Sequence, residues 1–286
     1  GGPGGLEAAR VLAERGHAVT LFEASDSLGG QVNIASRSPR RRDLQGIIDW
    51  RRQELVRLGV TVKLNTYVTG EDLAGSGFDV IIVATGGIPH ATRAAGAQNV
   101  LDSWDVLTGA KKIAGSALVY DDHGGNQALD LCEALVRMGV QVELVTPERN
   151  VSPEVGGMVA SQYFKSLSQA GVRFTPLRQL KSVQRNSDGT LQVHIGVEDE
   201  SWTEERTVNA VIFEGGTQAV ADVYDDLVPL STNGGEVVLE DLLAGRPQTA
   251  VRNPDGAFQV FRIGDAVSSR NIHAAILDAV RLCHVI

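Results

Sequence analysis

Gly1-Gly2-Pro3-Gly4-Gly5-Leu6-Glu7-Ala8-Ala9-Arg10 opens the chain, and Val11-Leu12-Ala13-Glu14-Arg15-Gly16-His17 carries it into Ala18-Val19-Thr20-Leu21-Phe22-Glu23. Small residues start a helix, an apolar strand follows, and the strand ends on an acid. Glycines in such a turn let the backbone approach a pyrophosphate set against the positive end of the helix dipole, and an acid at the end of the next strand accepts ribose hydroxyls. Gly2 and Gly5 fit the second and third glycines of G-x-G-x-x-G, with Pro3 between them and Glu23, followed by Ala24, near the expected separation. The first glycine and the strand ahead of it would lie before residue 1, so the chain is expected to be a fragment of a longer polypeptide. Glycine-rich turns also cap helices for purely structural reasons, and this loop alone does not separate a cap from a nucleotide cradle.

At 286 residues the chain is long enough for two domains of ordinary size. Apolar content of 43% and charge of 21% describe a folded protein rather than a disordered one. No apolar run reaches the length of a membrane span, so no membrane partner is expected. A net charge of −9 argues against a nucleic-acid partner, which requires a basic surface. Cys132 and Cys283 stand far apart, form no C-x-x-C pair and are expected to be buried free thiols, with no metal site. That usage suits a reducing cytoplasm.

Three further glycine-bearing turns follow the first. Ala24-Ser25-Asp26-Ser27-Leu28-Gly29-Gly30-Gln31 is either a flexible surface turn or a place where amides approach a diphosphate. Asp79-Val80-Ile81-Ile82-Val83-Ala84 is an apolar run with the character of a buried parallel strand, and it opens into Thr85-Gly86-Gly87. In open α/β sheets the carboxyl ends of strands are where ligands bind. Near the end, Phe258 to Ile263 is expected as a strand running into Gly264-Asp265, where a carboxylate and helix-start amides meet either a ligand or merely each other, as a cap.

Between these turns, Asp43 to Leu58 has the spacing of an amphipathic helix, and its flank carries Arg40, Arg41, Arg42, Arg51, Arg52 and Arg57. Such a run is usually a solvated face; the alternative is a docking surface for the missing part of the chain or an anionic cofactor. The opening pattern then repeats. A shift of 123 positions, Gly139 against Gly16, lays Gly2 on Gly125, Gly5 on Ala128 and Glu23 on Thr146. The repeat predicts two nucleotide-fold units in one chain. In the second copy His123 stands at the first glycine, Thr146 replaces the acid, and Asp121 and Asp122 bring negative charge close to where a diphosphate would lie. That copy is expected to be kept for folding, with weak or no pyridine-nucleotide binding, unless His123 and the acids recognise something else. Leu180 to Arg185, Leu191 to Ile195 and Arg206 to Phe213 are expected as antiparallel strands covering a sheet.

In order and spacing, Gly2-Pro3-Gly4-Gly5 with Glu23, Leu28-Gly29-Gly30-Gln31, Ala84-Thr85-Gly86-Gly87 and Gly264-Asp265 resemble the two-dinucleotide-domain flavoproteins. More narrowly, the chain is similar to the carboxyl-terminal half of the NADH:flavin oxidoreductase and trimethylamine dehydrogenase-like family. That family includes 2,4-dienoyl-CoA reductase and the demethylases of dimethylglycine and N-methylproline. The acid-rich turn Tyr120-Asp121-Asp122-His123-Gly124-Gly125 and the ending from Gly264 to Ile276 point to its amine branch. The resemblance implies an α/β fold of two Rossmann-like doubly wound units, the second inserted in the first, with an antiparallel β meander. It sets an FAD- or ADP-binding domain at 1–97 and 223–286, and an NAD(P)-binding-like domain at 98–222.

It also implies that Gly2, Pro3, Gly5, Glu23 and Ala24 hold the ADP half of FAD or a bare ADP. Gly29, Gly30, Gln31, Ala84, Thr85 and Gly86 would line its continuation, and Gly264 and Asp265 would face the ribitol or diphosphate. No residue of the chain is expected to be catalytic on substrate. That chemistry would lie in an amino-terminal barrel with FMN and a 4Fe-4S cluster, in a full-length homo-oligomer that passes electrons to an electron-transfer protein. Two alternatives stand beside this expectation: an NAD(P)H-dependent reductase of the 2,4-dienoyl-CoA reductase type, whose second unit binds nicotinamide, and a non-catalytic scaffold whose nucleotide is structural.

Overall fold

The computed structural model describes all residues from 1 to 286. In chain order the elements begin with α1 (Pro3–Glu14), β1 (Thr20–Phe22), α2 (Gln31–Ala35), α3 (Gln45–Arg57), β2 (Thr61–Lys63), α4 (Gly70–Ala74), β3 (Val80–Val83) and β4 (Gly87–Pro89). They continue with β5 (Leu101–Asp102), α5 (Ser103–Leu107), β6 (Ser116–Asp121), α6 (Asn126–Arg137), β7 (Gln141–Val145), α7 (Gly157–Gln169) and β8 (Arg173–Thr175). The meander β9 (Gln179–Arg185), β10 (Leu191–Gly196) and β11 (Thr203–Val208) precedes β12 (Ala210–Glu214). The chain closes with β13 (Thr217–Ala219), α8 (Asp222–Leu227), α9 (Leu239–Leu243), β14 (Gln259–Arg262) and α10 (Ile272–Cys283). No helix is long and apolar enough to cross a membrane.

Two compact units result, an outer one of Gly1–Asn33, Asp43–Ile88 and Thr217–Ile286 and an inserted one of Ile34–Arg42 and Pro89–Gly216. The junctions at 88/89 and 216/217 compare with 97/98 and 222/223 expected from sequence, and the arginine-bearing segment 34–42 groups with the inserted unit.

The inserted unit holds a five-stranded parallel sheet in the order β5-β12-β6-β7-β8. Alternation along β6 explains its two cores. Ala117 and Val119 join Leu129, Cys132 and Leu135 of α6 and Tyr163 and Leu167 of α7 on one face. Leu118 and Tyr120 meet Leu180, Val183, Val193 and Ile195 of the meander on the other. A strand covered on both faces has no polar side to show, hence the unbroken apolar run in sequence. The expected single strand from Arg206 to Phe213 is in fact two. β11 pairs antiparallel with β10, and the chain then breaks at Asn209 so that β12 enters the parallel sheet. Asn209 Oδ1 accepts the Ser116 N–H at 2.9 Å, fixing the break where an alternating sequence pattern gives no sign of one.

In the outer unit the parallel strands form two pairs, β1–β2 and β14–β3, rather than one continuous sheet. α1 packs on both pairs: Leu6 and Ala9 join the core of Leu21, and Ala8 and Val11 join that of Phe261 and Ile263.

The internal repeat is visible in the backbone. Shifted by 123, α1 falls on α6 from first residue to last. Gly2 and Gly125 are both extended N-caps, with φ of −75° and −92°. Gly16 and Gly139, with φ of +93° and +80°, terminate the two helices in the left-handed conformation that glycine tolerates best.

Candidate functional site

The outer unit brings the four glycine-bearing turns together around the start of α1. Pro3 occupies the first turn, where its missing N–H costs nothing, and no acid lies in that turn to oppose an anion. A Cβ built on Gly2 would meet nothing within 4 Å, so there is open space beside the helix-start amides. The Leu28-Gly29-Gly30 turn closes on it. The Gly29 N–H donates to the Gly1 carbonyl at 2.8 Å, and a Cβ on Gly30 would lie 3.1 Å from the Gly2 Cα. Both glycines have positive φ, +134° and +52°, so this turn could not follow the same path with side chains.

Gly5 faces the end of β3, where its Cβ would be 3.2 Å from Ala84 Cβ. The Thr85 hydroxyl donates to the Val220 carbonyl, and the Val220 N–H to the Gly86 carbonyl at 3.0 Å, pinning the Ala84-Thr85-Gly86 turn. Gln31 completes the ring. Its Nε2 donates to Asp265 Oδ2 at 3.2 Å and lies 3.9 Å from the position a Gly86 Cβ would take.

Glu23 stands at the end of β1, half-buried. Its Oε1 accepts the Ser25 N–H at 2.8 Å and the Ser25 hydroxyl at 2.7 Å, while Oε2 lies 2.9 Å from the Gly1 ammonium. Burial alone would raise this carboxyl. The ammonium and the Ser25 hydrogen bonds outweigh burial and hold it below the usual carboxylate range. A peptide N–H in place of the ammonium would still donate but would carry no charge. Ala24 next to it is exposed. All thirteen residues expected from sequence therefore belong to the outer unit.

Four residues the sequence did not single out hold this arrangement. Ala275 of α10 is the surface against which Gly4 and Gly264 fit, with built Cβ atoms only 3.2 Å from its carbonyl and 3.1 Å from its Cβ. Asp278, one turn on, accepts the Gly264 N–H at 3.1 Å and a guanidinium N–H of Arg270, whose backbone N–H donates to Asp265 Oδ1 at 3.2 Å. Ser25 orients Glu23. The signal for Ala275 was the pair of small residues Ala274-Ala275 opposite two glycines, but only the fold shows that they meet.

The second turn contrasts with the first. A Cβ on Gly125 would lie 2.4 Å from Gln127 Oε1 and 3.1 Å from His123 Cδ2. The position equivalent to Gly2 is therefore filled by the unit's own side chains. Cys132 and Cys283 are buried free thiols, each pushed up by burial, Cys283 to about 12.

The arginine run is neither wholly solvated nor free. Within the inserted unit Arg40 pairs with Glu133 at 2.6 Å and lies over the Tyr163 ring at 4.4 Å, and Arg41 pairs with Asp130 at 3.2 Å. Asp130 also accepts the Ser38 and Tyr163 hydroxyls at 2.8 and 2.7 Å.

A glycine turn opening a helix, repeated once in an α/β chain with a parallel sheet, defines the Rossmann-type nucleotide-binding fold. The chain belongs to the pyridine nucleotide-disulphide oxidoreductase family, which it matches over residues 1–279, and so to the Rossmann-type flavoprotein oxidoreductases. It is 43% identical over 282 residues to a probable N-methylproline demethylase of Rhizobium meliloti, covering 98% of this chain and 41% of that protein. It is 37% identical over 295 residues to an N,N-dimethylglycine/sarcosine dehydrogenase of Chromohalobacter salexigens, covering 99% of this chain and 42% of the relative. Among solved structures, 6-hydroxypseudooxynicotine amine oxidase of Pseudomonas geniculata matches with a TM-score of 0.81 at 25% identity, over 99% of this chain and 40% of that one. The chain thus spans about two fifths of the length of these relatives.

Proposed function

We propose that this chain is the adenine-nucleotide-binding module of a flavin-dependent oxidoreductase acting on N-methylated amines. The observation that carries the reading is the open space beside Gly2, walled by Gly30 and flanked by Glu23. Backbone amides at a helix start, with no side chain between them and the ligand, suit a diphosphate. The Glu23 carboxylate suits ribose hydroxyls. By the same chemistry Gln31, Gly86 and Asp265 line the direction in which an FAD extends, and Asp265, already accepting from Gln31 and Arg270, holds that side rigid. When FAD is bound, its isoalloxazine supplies two-electron redox chemistry; the residues of this chain bind and orient it.

The amine substrate follows from likeness to the demethylase and dehydrogenase relatives. By the same likeness, a barrel with FMN and a 4Fe-4S cluster would lie outside these residues, in a cytoplasmic homo-oligomer that hands electrons to a protein acceptor. An absorbance spectrum of the purified protein, with its released nucleotide identified by mass, tests the reading. FAD or ADP at about one per chain is expected, and a protein free of any adenine nucleotide contradicts it.

A further inference from the structure

Tyr67, in the outer unit, is the most exposed aromatic residue of the chain at 77% accessible, and no hydrogen bond, cation or second ring engages its side chain. The two exposed tryptophans differ, since Trp50 lies under Arg10 and Arg51 and Trp202 under Arg178. A singly exposed apolar residue needs no explanation of its own; the argument comes from where this one sits. The pairing of β1 with β2 continues past both strands. The Glu23 N–H donates to the Lys63 carbonyl, the Thr66 N–H to the Glu23 carbonyl and the Asn65 N–H to the Ser25 carbonyl, each at 2.9 Å. Asn65 has φ of +51°, a left-handed turn that asparagine tolerates, and it folds the chain after β2 back onto the acid. Val68 then packs on the same core as Phe22. Glu23 follows Phe22 and Tyr67 precedes Val68, and neither joins that core. Successive side chains of extended backbone point opposite ways, so the Tyr67 ring turns out on the side of Glu23.

We propose that the Tyr67 ring is the platform on which the nucleotide's adenine stacks, an inference that rests on the cradle being an adenine-nucleotide site. In an adenosine diphosphate the base and the diphosphate leave opposite sides of the ribose. With the diphosphate on the amides beside Gly2 and the ribose hydroxyls on Glu23, the base falls along the chain that flanks Glu23 away from Gly2. That chain is Ala24 to Ser27 on one side and Leu64 to Tyr67 on the other. Of these residues Tyr67 alone offers a ring. Every purine has a π face, and stacking on an aromatic side chain uses that face without needing the phenol hydroxyl. Tyr67 is thus a binding residue for the base, as Glu23 is for the ribose.

Titration of the full chain, freed of its own nucleotide, with ADP and with inorganic pyrophosphate tests the proposal. Tyr67→Ala should weaken ADP about tenfold, while Tyr67→Phe should stay within about twofold of wild type, because the ring and not the hydroxyl meets the base. Pyrophosphate, which has no base, should bind all three proteins alike, and their melting temperatures should coincide because the side chain is largely in water. In wild type, nitration of Tyr67, read by the mass of its peptide, should be slowed by ADP and left unchanged by pyrophosphate. Full ADP affinity in Tyr67→Ala, equal losses of ADP and pyrophosphate, a loss in Tyr67→Phe as large as in Tyr67→Ala, or nitration indifferent to ADP each overturns the proposal and leaves the nucleotide reading of the cradle standing. A wild-type chain that binds no adenine nucleotide overturns both.

Discussion

Gly30 is seated on Gly2: a Cβ on the former would lie 3.1 Å from the Cα of the latter, although 28 positions separate them in sequence. Their two environments differ in a way that mutation can read. Gly30 has φ of +52° and backbone against it; Gly2 has an extended φ of −75° and open space. Gly30→Ala should therefore lower stability by about 1–2 kcal/mol through the left-handed backbone alone, and should also part the two turns. Urea denaturation of the variant checks the first effect and nucleotide content the second.

Asp121 makes the stability of the inserted unit depend on pH in a definite direction. Burial, opposed by the hydrogen bonds from Gly124 and His123, pushes its carboxyl from 3.8 up to about 6. A carboxyl raised in the folded state favours folding when protonated, so its contribution is complete below the unfolded value and is lost as pH rises through about 6. Asp121→Asn keeps the acceptor and removes the titration. From below 3.8 to above about 6, wild type should lose up to about 3 kcal/mol relative to this variant, about 1.4 kcal/mol for each of the roughly two pH units between. Denaturant unfolding of both proteins across that range checks it, and a parallel dependence in the two would contradict it.

Tyr163 bears on the arginine-bearing segment. Its hydroxyl is one of the donors that satisfy buried Asp130, alongside Ser38 and Arg41. Burial already raises the Asp130 carboxyl. Tyr163→Phe should cost about 1–3 kcal/mol by leaving that group less satisfied and should increase tryptic cleavage between Arg37 and Arg42. Equal cleavage in variant and wild type would show that Tyr163 does not secure the segment.

Asp278 fastens the Gly264-Asp265 turn from α10, accepting from Gly264 and Arg270. Asp278→Ala should weaken retention of the adenine nucleotide by about tenfold, the low end of one hydrogen bond to a charged group, with a smaller effect on the melting temperature. Asp278→Asn, which keeps an acceptor, should recover most of the retention.

The pattern of small residues and a strand-terminal acid made α1, β1 and Glu23 legible from sequence, and the 123-residue shift pointed to the second helix because both helices are bounded by the same glycines. Neighbours distant in sequence were not legible. Ala275 matters because Gly4 and Gly264 need a small surface opposite them, and nothing local to Ala275 says so. Arg40 and Arg41 looked solvated because their carboxylates, Glu133 and Asp130, lie about ninety positions away and are themselves buried. The break at Asn209 was hidden because that one residue alone separates β11 from β12, and only the partner strands distinguish them.

The central claim is that the space beside Gly2 holds a nucleotide, and Gly2→Ala tests it most directly. A methyl group there meets no protein atom within 4 Å, so the variant should melt as wild type does or gain up to about 1 kcal/mol from a stiffer unfolded chain. Released nucleotide measured by absorbance and mass should be present in wild type and reduced about tenfold or more in Gly2→Ala, since the methyl stands where amides must meet a phosphate. A variant that melts like wild type and keeps its full complement of FAD or ADP would contradict the account.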